Sequence, residues 1–298
     1  MTALRVIAED IKIAHSIFAL PFAVLAAFMA AQFGEMPFAS LAAPLGLIVV
    51  AMVFARTAAM LSNRILDHQI DAGNPRTSGR AIPSGRLSMR AAVSALAVSS
   101  IGFLVICGVF GVLRENWWPL VLGLPVLAWI CGYGFFKRFT WLCHLWLGAS
   151  LALSPVAAAI AVDPAALSTP PIWLLAGMVL CWVSGFDVIY ALQDVDIDRR
   201  DGLNSIPTRF GVDGALKLSR LLHVFAVILL FAVARTESAF GGLFLAAAIM
   251  VAILLLIEHA TVRRWGTTRM AITFMTINGI VSILVGAAGV IELVRATG

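Results

Sequence analysis

Charge is what this 298-residue chain has least of: 12% of its residues are Asp, Glu, Lys or Arg, against about 25% in an ordinary soluble domain. With 61% hydrophobic residues and a mean hydropathy of +0.98, that shortage excludes a soluble globular protein. The four cysteines, Cys107, Cys131, Cys143 and Cys181, lie in or beside apolar stretches without C-x-x-C spacing. This excludes a zinc ribbon or a dithiol redox motif and leaves them as small buried hydrophobes. The apolar stretches show no alternation of period two, which excludes a membrane β-barrel. A cleavable signal peptide is not expected either, because Glu9 and Asp10 precede the first apolar run and no clear small-x-small cleavage site is present. Tyrosine occurs only twice, as Tyr133 and Tyr190.

Long apolar runs are what the chain does have. They cover about 14–32, 40–61, 91–113, 117–136, 142–162, 171–191, 215–234, 239–258 and 270–294. Each approaches the ~20 residues that a spanning helix needs. The expected fold is therefore all-α and polytopic, with nine transmembrane helices around a central cavity. Residues 3–13 are expected to form a short amphipathic helix on the membrane surface. Nine spans place the loops alternately on two sides. Of the 21 basic residues, Arg114, Arg235 and Arg295 fall on one side, Arg56 falls inside a span, and the rest collect on the other. The positive-inside rule assigns the N-terminus and both long polar loops to the cytoplasm, on an inner membrane. The net charge of +5 is thus a topology signal. Spread over loops at the membrane face, it does not describe a nucleic-acid surface, and no protein partner is implied.

Two of those loops are long and polar: "NRILDHQIDAGNPRTSGRAIPSGRLSMR" (63–90) and "DVIYALQDVDIDRRDGLNSIPTRFGVDG" (187–214). Each begins at the cytoplasmic end of an apolar run and continues through carboxylates at helical spacing, then Arg and Gly, to an Ile-Pro pair. The parallel suggests one domain over 1–298 with two weakly similar halves, whose polar loops cap one cavity. In the first loop Asn63, Asp67 and Asp71 fall at i, i+4 and i+8, one face of a helix. In the second, Asp187, Tyr190, Asp194 and Asp198 fall at i, i+3, i+7 and i+11, again one face, while Asp196 points elsewhere.

Carboxylates sharing a face repel one another unless something positive lies between them. A lone pair of acids at this spacing would read as a solvated loop; two such sets, each with an Arg-Gly-Pro tail, do not. Mg2+ takes oxygen ligands and typically uses one or two carboxylates together with substrate phosphates. The residues therefore point to two acidic clusters holding Mg2+ and a diphosphate, with nearby guanidinium groups completing the clamp. Arg64, Arg76, Arg80, Arg199 and Arg209 are the candidates for that clamp, although positive-inside placement alone accounts for several.

At these residues the chain resembles the UbiA superfamily of intramembrane prenyltransferases. Its first motif, N-x-x-x-D-x-x-x-D, is matched by Asn63, Asp67 and Asp71, and its second, D-x-x-x-D, by Asp194 and Asp198. The resemblance implies Mg2+ held by Asn63, Asp67, Asp71, Asp194 and Asp198, and transfer of a polyprenyl group from its diphosphate to a small aromatic acceptor. In "GYGFFKRFTWLCHLWLG" (132–148), it implies that Lys137 and Arg138 help to hold the diphosphate. Tyr133, one turn before Lys137, would steer the acceptor or stabilise a carbocation; the plainer reading is an interfacial tyrosine. Asp67, Asp71 or the released diphosphate would take the proton from the acceptor. "KIAHSIFALPFAVLAAF" (12–28) is similar to the quinone-synthesis branch, whose acceptors are 4-hydroxybenzoate or a dihydroxynaphthoate. Its "HSIFALPF" segment leans toward the second, the menaquinone route. Lys12, His15 and Ser16 would meet the acceptor's carboxylate, while a packed histidine is the plainer reading of His15.

Other readings fit less well. Haem O, chlorophyll and archaeal-lipid enzymes of the same family share these motifs. A secondary transporter also carries polar groups within its spans, but the acids here sit at span ends and no broken helix is obvious. A CDP-alcohol phosphotransferase lacks support because its D-G-x-x-A-R core is missing.

Overall fold

A computed structural model describes residues 3–10 and 13–297 of the chain. Among them the only regular structure is helical. Nine helical segments are long and apolar enough to cross a membrane. They coincide with the nine apolar runs, because a chain in lipid must satisfy every backbone N–H and C=O internally.

The elements run α1 (Ala3–Asp10), α2 (Leu20–Phe33), α3 (Ala42–Leu66), α4 (His68–Gly73), α5 (Met89–Arg114), α6 (Trp118–Phe136), α7 (Cys143–Val162), α8 (Pro170–Ala191), α9 (Val195–Arg200), α10 (Ile206–Thr236), α11 (Gly242–Trp265) and α12 (Asn278–Thr297). The long helices contact one another in a closed circuit that runs α2, α3, α5, α6, α7, α8, α10, α11, α12 and back to α2, with a further contact between α2 and α7. Fully buried Phe22, Leu25, Met178, Trp182, Phe244 and Val281 form the centre of the main core.

Local sequence sets where these helices begin. Pro170 and Pro171 open α8, where a missing N–H costs nothing because the first turn's donors have no helical acceptor. Ser205 caps α10 in a reciprocal capping box with Thr208. Inside α10, Gly211 sits at φ 70°, a left-handed conformation that glycine adopts without strain, and the helix kinks there.

The pairs α7–α8 and α8–α10 pack most extensively, and glycine permits both. A Cβ on Gly148 would collide with Ser184 Oγ, and one on Gly185 would collide with the His223 ring. Small residues let backbones approach closely where lipid provides no hydrophobic drive between helices.

Both acidic motifs break their helix, which the one-face reading did not anticipate. Asp67 (φ −96°, ψ 5°) separates α3 from α4 and Asp194 (φ −112°, ψ 3°) precedes α9. Each thereby starts a six-residue helix. The i+4 backbone bonds persist across the first break, Asp67 N to Asn63 O at 2.9 Å and Asp71 N to Asp67 O at 2.8 Å, whereas i+3 bonds cross the second, Gln193 N to Tyr190 O at 3.3 Å and Asp194 N to Ala191 O at 3.1 Å. The acids therefore stay on one side despite the interruption. These breaks lie at one end of the bundle, away from the mid-membrane position of a transporter's broken helices.

Two further features depart from the expectations. Helix α1 packs on the protein, with Val6 and Ile7 buried against Leu61, Ala81, Leu87 and Ala92, so its apolar face is covered by protein. A polar network also crosses the interior of the apolar runs. Trp182 Nε1 donates to Asn278 Oδ1 at 2.7 Å, Asn278 Nδ2 donates to Glu258 Oε1 at 3.1 Å, and His223 lies 3.0 Å from His259. Asn278 also donates to Thr273 O at 2.8 Å, satisfying a carbonyl of the π-helical turn Ala271–Ile277.

Gly185→Ala is expected to cost about 1–3 kcal/mol by overpacking against His223. Gly46→Ala, at a position with open space around it, is expected to be neutral. Thermal unfolding of the two variants in detergent checks this, and equal midpoints would contradict the close α8–α10 contact.

Candidate active site

The two helix breaks face each other across a cavity of about 160 Å³. Asn63, Asp67 and Asp71 line one wall; Asp187, Tyr190, Asp194 and Asp198 line the opposite wall; Tyr133 and Lys137 from the end of α6 stand between them. Asn74, Arg76, Thr77 and Arg80, from the segment after α4, cover the opening.

Burying this many acids requires counter-charge, and most of it comes from two segments, the end of α6 and the stretch after α4. Asp67 is 2% exposed. It accepts from Lys137 Nζ at 2.5 Å, from Arg138 Nη2 at 3.2 Å and from Asn63 Nδ2 at 3.2 Å. Asp71 takes Arg80 Nη1 on both oxygens, at 2.6 and 2.7 Å. Asp194 holds Arg76 through two bonds, Nε to Oδ1 at 2.9 Å and Nη2 to Oδ2 at 2.5 Å, the forked geometry that arginine favours. Arg76 also donates to the Tyr190 hydroxyl at 3.1 Å. The first polar loop is thereby fastened to the second motif, more than 100 residues away. Asp187 Oδ2 lies 2.7 Å from His144 Nδ1. Burial first, and then the charge of Asp194, push the Asp198 carboxyl up to about 6, against the opposing effects of Lys137, Ser205 and His144. A divalent cation beside it would return it to the carboxylate form.

The donors suit a hard cation. Among the described residues, no three His, Cys, Asp or Glu side chains converge into a closed metal cage, and Mg2+ bound with a phosphate substrate does not need one. What the cavity offers is a donor set made of oxygens apart from Cys143, on two facing walls, interleaved with Lys137, Arg76 and Arg80. That alternation matches a ligand with anionic oxygens and bound cations. The residues present therefore fit Mg2+ with a diphosphate.

Not every expected residue reaches the cavity. Arg64 is 5% exposed and turns away from it, because its guanidinium is spent on Asp10 at 3.1 Å. Its Nη1 donates to Asn63 Oδ1 at 3.2 Å. Arg64 is thus a neighbour of the site with no direct line to its contents, which corrects the expectation that it binds substrate. The same bond occupies one lone pair of the Asn63 amide oxygen, and Asn63 here orients Asp67. Arg138 reaches Asp67 and also donates to Gly134 O at 2.5 Å and Leu66 O at 2.7 Å, tying α6 to the end of α3. Arg199 and Arg209 are exposed and do not line the cavity. Lys12 and the side chain of His15 lie outside the described residues. Asn74, Thr77, His144 and Asp10 were not expected. No spacing marks them; Asn74, His144 and Asp10 owe their places to tertiary contacts, and Thr77 to a local bond with Asp71 O.

A bundle of helices that closes around a polar, cation-rich and acid-rich cavity at one end defines a class of intramembrane site for a charged substrate. The sequence profile of the UbiA prenyltransferase family matches residues 19–280, and the chain belongs to that family. A relative named 4-hydroxybenzoate octaprenyltransferase from Aliivibrio fischeri (strain ATCC 700601 / ES114) is 30% identical over 204 residues, 66% of each chain. One of the same name from Yersinia pseudotuberculosis serotype IB (strain PB1/+) is 34% identical over 189 residues, covering 61% of this chain and 62% of its own. The matched region thus spans slightly less than two thirds of these relatives. An apo UbiA homolog from Aeropyrum pernix K1 superposes with a TM-score of 0.82 at 32% identity, covering 94% of this chain and 98% of the other. A UbiA homolog from Archaeoglobus fulgidus bound to GPP and Mg2+ superposes with a TM-score of 0.71 at 18% identity over 97% and 99%, a likeness of fold.

Arg80→Ala leaves Asp71, 4% exposed, without its cation. The expected cost is about 2–3 kcal/mol, below that of a fully buried pair because the arginine is partly solvated. Thermal unfolding in metal-free buffer should register the loss, and added Mg2+ should restore part of it. No destabilisation in metal-free buffer would contradict the charge balance described here.

Proposed function

We propose that the protein transfers a polyprenyl group from polyprenyl diphosphate to a small aromatic quinone precursor, in a Mg2+-dependent reaction at the cavity between the two acidic motifs. The observation that carries this reading is that both motifs and three cations from two segments, Arg76 and Arg80 after α4 and Lys137 at the end of α6, meet on one cavity. Family membership and relatives named for 4-hydroxybenzoate prenylation support it. So do fold neighbours described as bound to GPP or DMAPP with Mg2+.

In this reading Asp67, Asp71, Asp194 and Asp198 hold the metal, and Asn63 orients Asp67. Bound Mg2+ supplies Lewis-acid neutralisation of the diphosphate as the allylic C–O bond breaks. Lys137 and Arg138 stand beside Asp67, and Arg76 and Arg80 stand on the cap. These cations exchange carboxylate oxygens for diphosphate oxygens when substrate enters, and Arg76 is preorganised for that by its forked geometry. Tyr133 and Tyr190 border the cavity where a developing allylic cation needs an electron-rich face and exclusion of water. Tyr190 packs against Phe274 with the rings tilted and their centres 4.4 Å apart, and Phe274 meets Phe186 and Phe18 at 5.4 Å each. An apolar, aromatic wall therefore begins at the cavity and leads into the bundle, as a prenyl chain requires. A carboxylate of the site or the released diphosphate takes the proton that the aromatic ring gives up. The N-terminus and both polar loops face the cytoplasm, in keeping with the concentration of Arg and Lys on that side.

The acceptor class is an aromatic carboxylate of quinone synthesis. The named relatives favour 4-hydroxybenzoate, and the "HSIFALPF" segment favours a dihydroxynaphthoate. Membranes containing the protein are expected to transfer label from a prenyl diphosphate to one of these two acceptors, only when Mg2+ is present. Asp67→Ala and Asp194→Ala are each expected to lower turnover about a thousandfold or more, roughly 4 kcal/mol of barrier, while the protein still inserts. Absence of Mg2+-dependent transfer to any aromatic acceptor would sink the reading, and near-normal turnover in either variant would remove that residue from the site.

A further inference from the structure

Helix α1 carries one buried carboxylate for which the proposed chemistry has no use. The Asp10 side chain is 7% exposed, close to the start of the chain, where a solvated acid would be the ordinary expectation. Its Oδ2 accepts from Arg64 Nε at 3.1 Å, and its Oδ1 accepts from the backbone N–H of Ala81 at 2.8 Å.

Those two bonds lead toward the cavity by separate routes. Arg64 passes from Asp10 to Asn63 Oδ1 at 3.2 Å, and Asn63 Nδ2 continues to Asp67 Oδ2 at 3.2 Å. Ala81 is fully buried and directly follows Arg80, whose guanidinium spans both oxygens of Asp71. A single carboxylate therefore anchors the supports of Asp67 and of Asp71. It is itself held in place because Val6 and Ile7 of the same helix pack against Leu61, Ala81 and Leu87. A side-chain amide at Asn63 can face either way, and the orientation that aims its N–H at Asp67 is fixed by the arginine behind it. Without a negative charge at Asp10, the buried guanidinium of Arg64 has no compensating partner of its own and competes for the acids of the first motif.

We propose that Asp10 is a positioning residue for the first acidic motif, orienting Asn63 through Arg64 and anchoring the cap segment that bears Arg80 through Ala81. The inference rests on the prenyl-diphosphate reading above and extends the site to a helix that touches none of the reacting groups.

Steady-state kinetics of the full chain, with prenyl diphosphate, Mg2+ and acceptor varied separately, test it. Asp10→Asn retains an oxygen for Ala81 but removes the charge facing Arg64. The half-saturating Mg2+ and the KM for prenyl diphosphate are expected to rise about tenfold or more, as for other supports of metal ligands. The acceptor KM is expected to move by less than about twofold, and Asp10→Glu is expected to recover part of the loss. Unchanged Mg2+ and diphosphate dependence in Asp10→Asn would overturn the inference. So would equal shifts in donor KM, acceptor KM and thermal midpoint, which describe a merely structural role. If Asp10→Asn does not accumulate as folded protein, Arg64→Lys is read in the same assay with the same expected and contrary results, since it keeps the charge but loses the fork that reaches Asn63. A wild-type protein that transfers nothing overturns the functional reading itself. Active wild type with an indifferent variant overturns only the role of Asp10.

Discussion

Most of the carboxylates at the mouth of this apolar bundle face a cation, and the fold is arranged around bringing those pairs together. Asp67 meets Lys137 and Arg138 from α6, Asp71 meets Arg80 from the cap, Asp194 meets Arg76, and Asp10 meets Arg64. Removing one partner of such a pair leaves a poorly solvated charge, which is far costlier than the pair is favourable. The pairs therefore act less as a source of net stability than as a constraint on geometry. They hold the ends of α3, α6 and α8, and the cap after α4, around one cavity.

The Arg76–Asp194 fork is the contact that makes two motifs into one site. It fastens a segment of the first half of the chain to the helix break of the second, and it brings Tyr190 into the same set through the third guanidinium bond. The breaks at Asp67 and Asp194 serve the same end. Each stops a long helix at the edge of the apolar layer and starts a short one while keeping its acids on the cavity side. Below the cavity, the aromatic contacts from Tyr190 through Phe274 to Phe18 carry the character of the site from polar to apolar within a few residues.

Much of this was legible in the sequence for a simple reason. The membrane imposes a length on every span, so the nine apolar runs coincide with the nine long helices among the described residues, and helical spacing grouped Asn63, Asp67, Asp71, Asp187, Tyr190, Asp194 and Asp198, all of which line the cavity. The spacing could not reveal that the helices break at Asp67 and Asp194, because the i+4 pattern survives the first break and tight i+3 turns carry the chain through the second. Nor could it assign the arginines. Arg64 and Arg76 look alike in the first loop, yet Asp10 draws one away while Asp194 draws the other in. Asp10 and His144 gain their roles only through neighbours distant in the chain. The network of Trp182, Glu258, His223 and Asn278 was hidden because single polar residues scarcely change the hydropathy of a long apolar run.

The central claim is that the two motifs bind one metal–diphosphate unit together. Pulsed EPR of the protein loaded with Mn2+ in place of Mg2+ and a non-hydrolysable prenyl thiodiphosphate tests it most directly. The account predicts a phosphorus hyperfine coupling to bound Mn2+ in the wild type that is lost in Asp67→Asn and equally lost in Asp194→Asn. A coupling that survives intact in either variant would contradict a shared site.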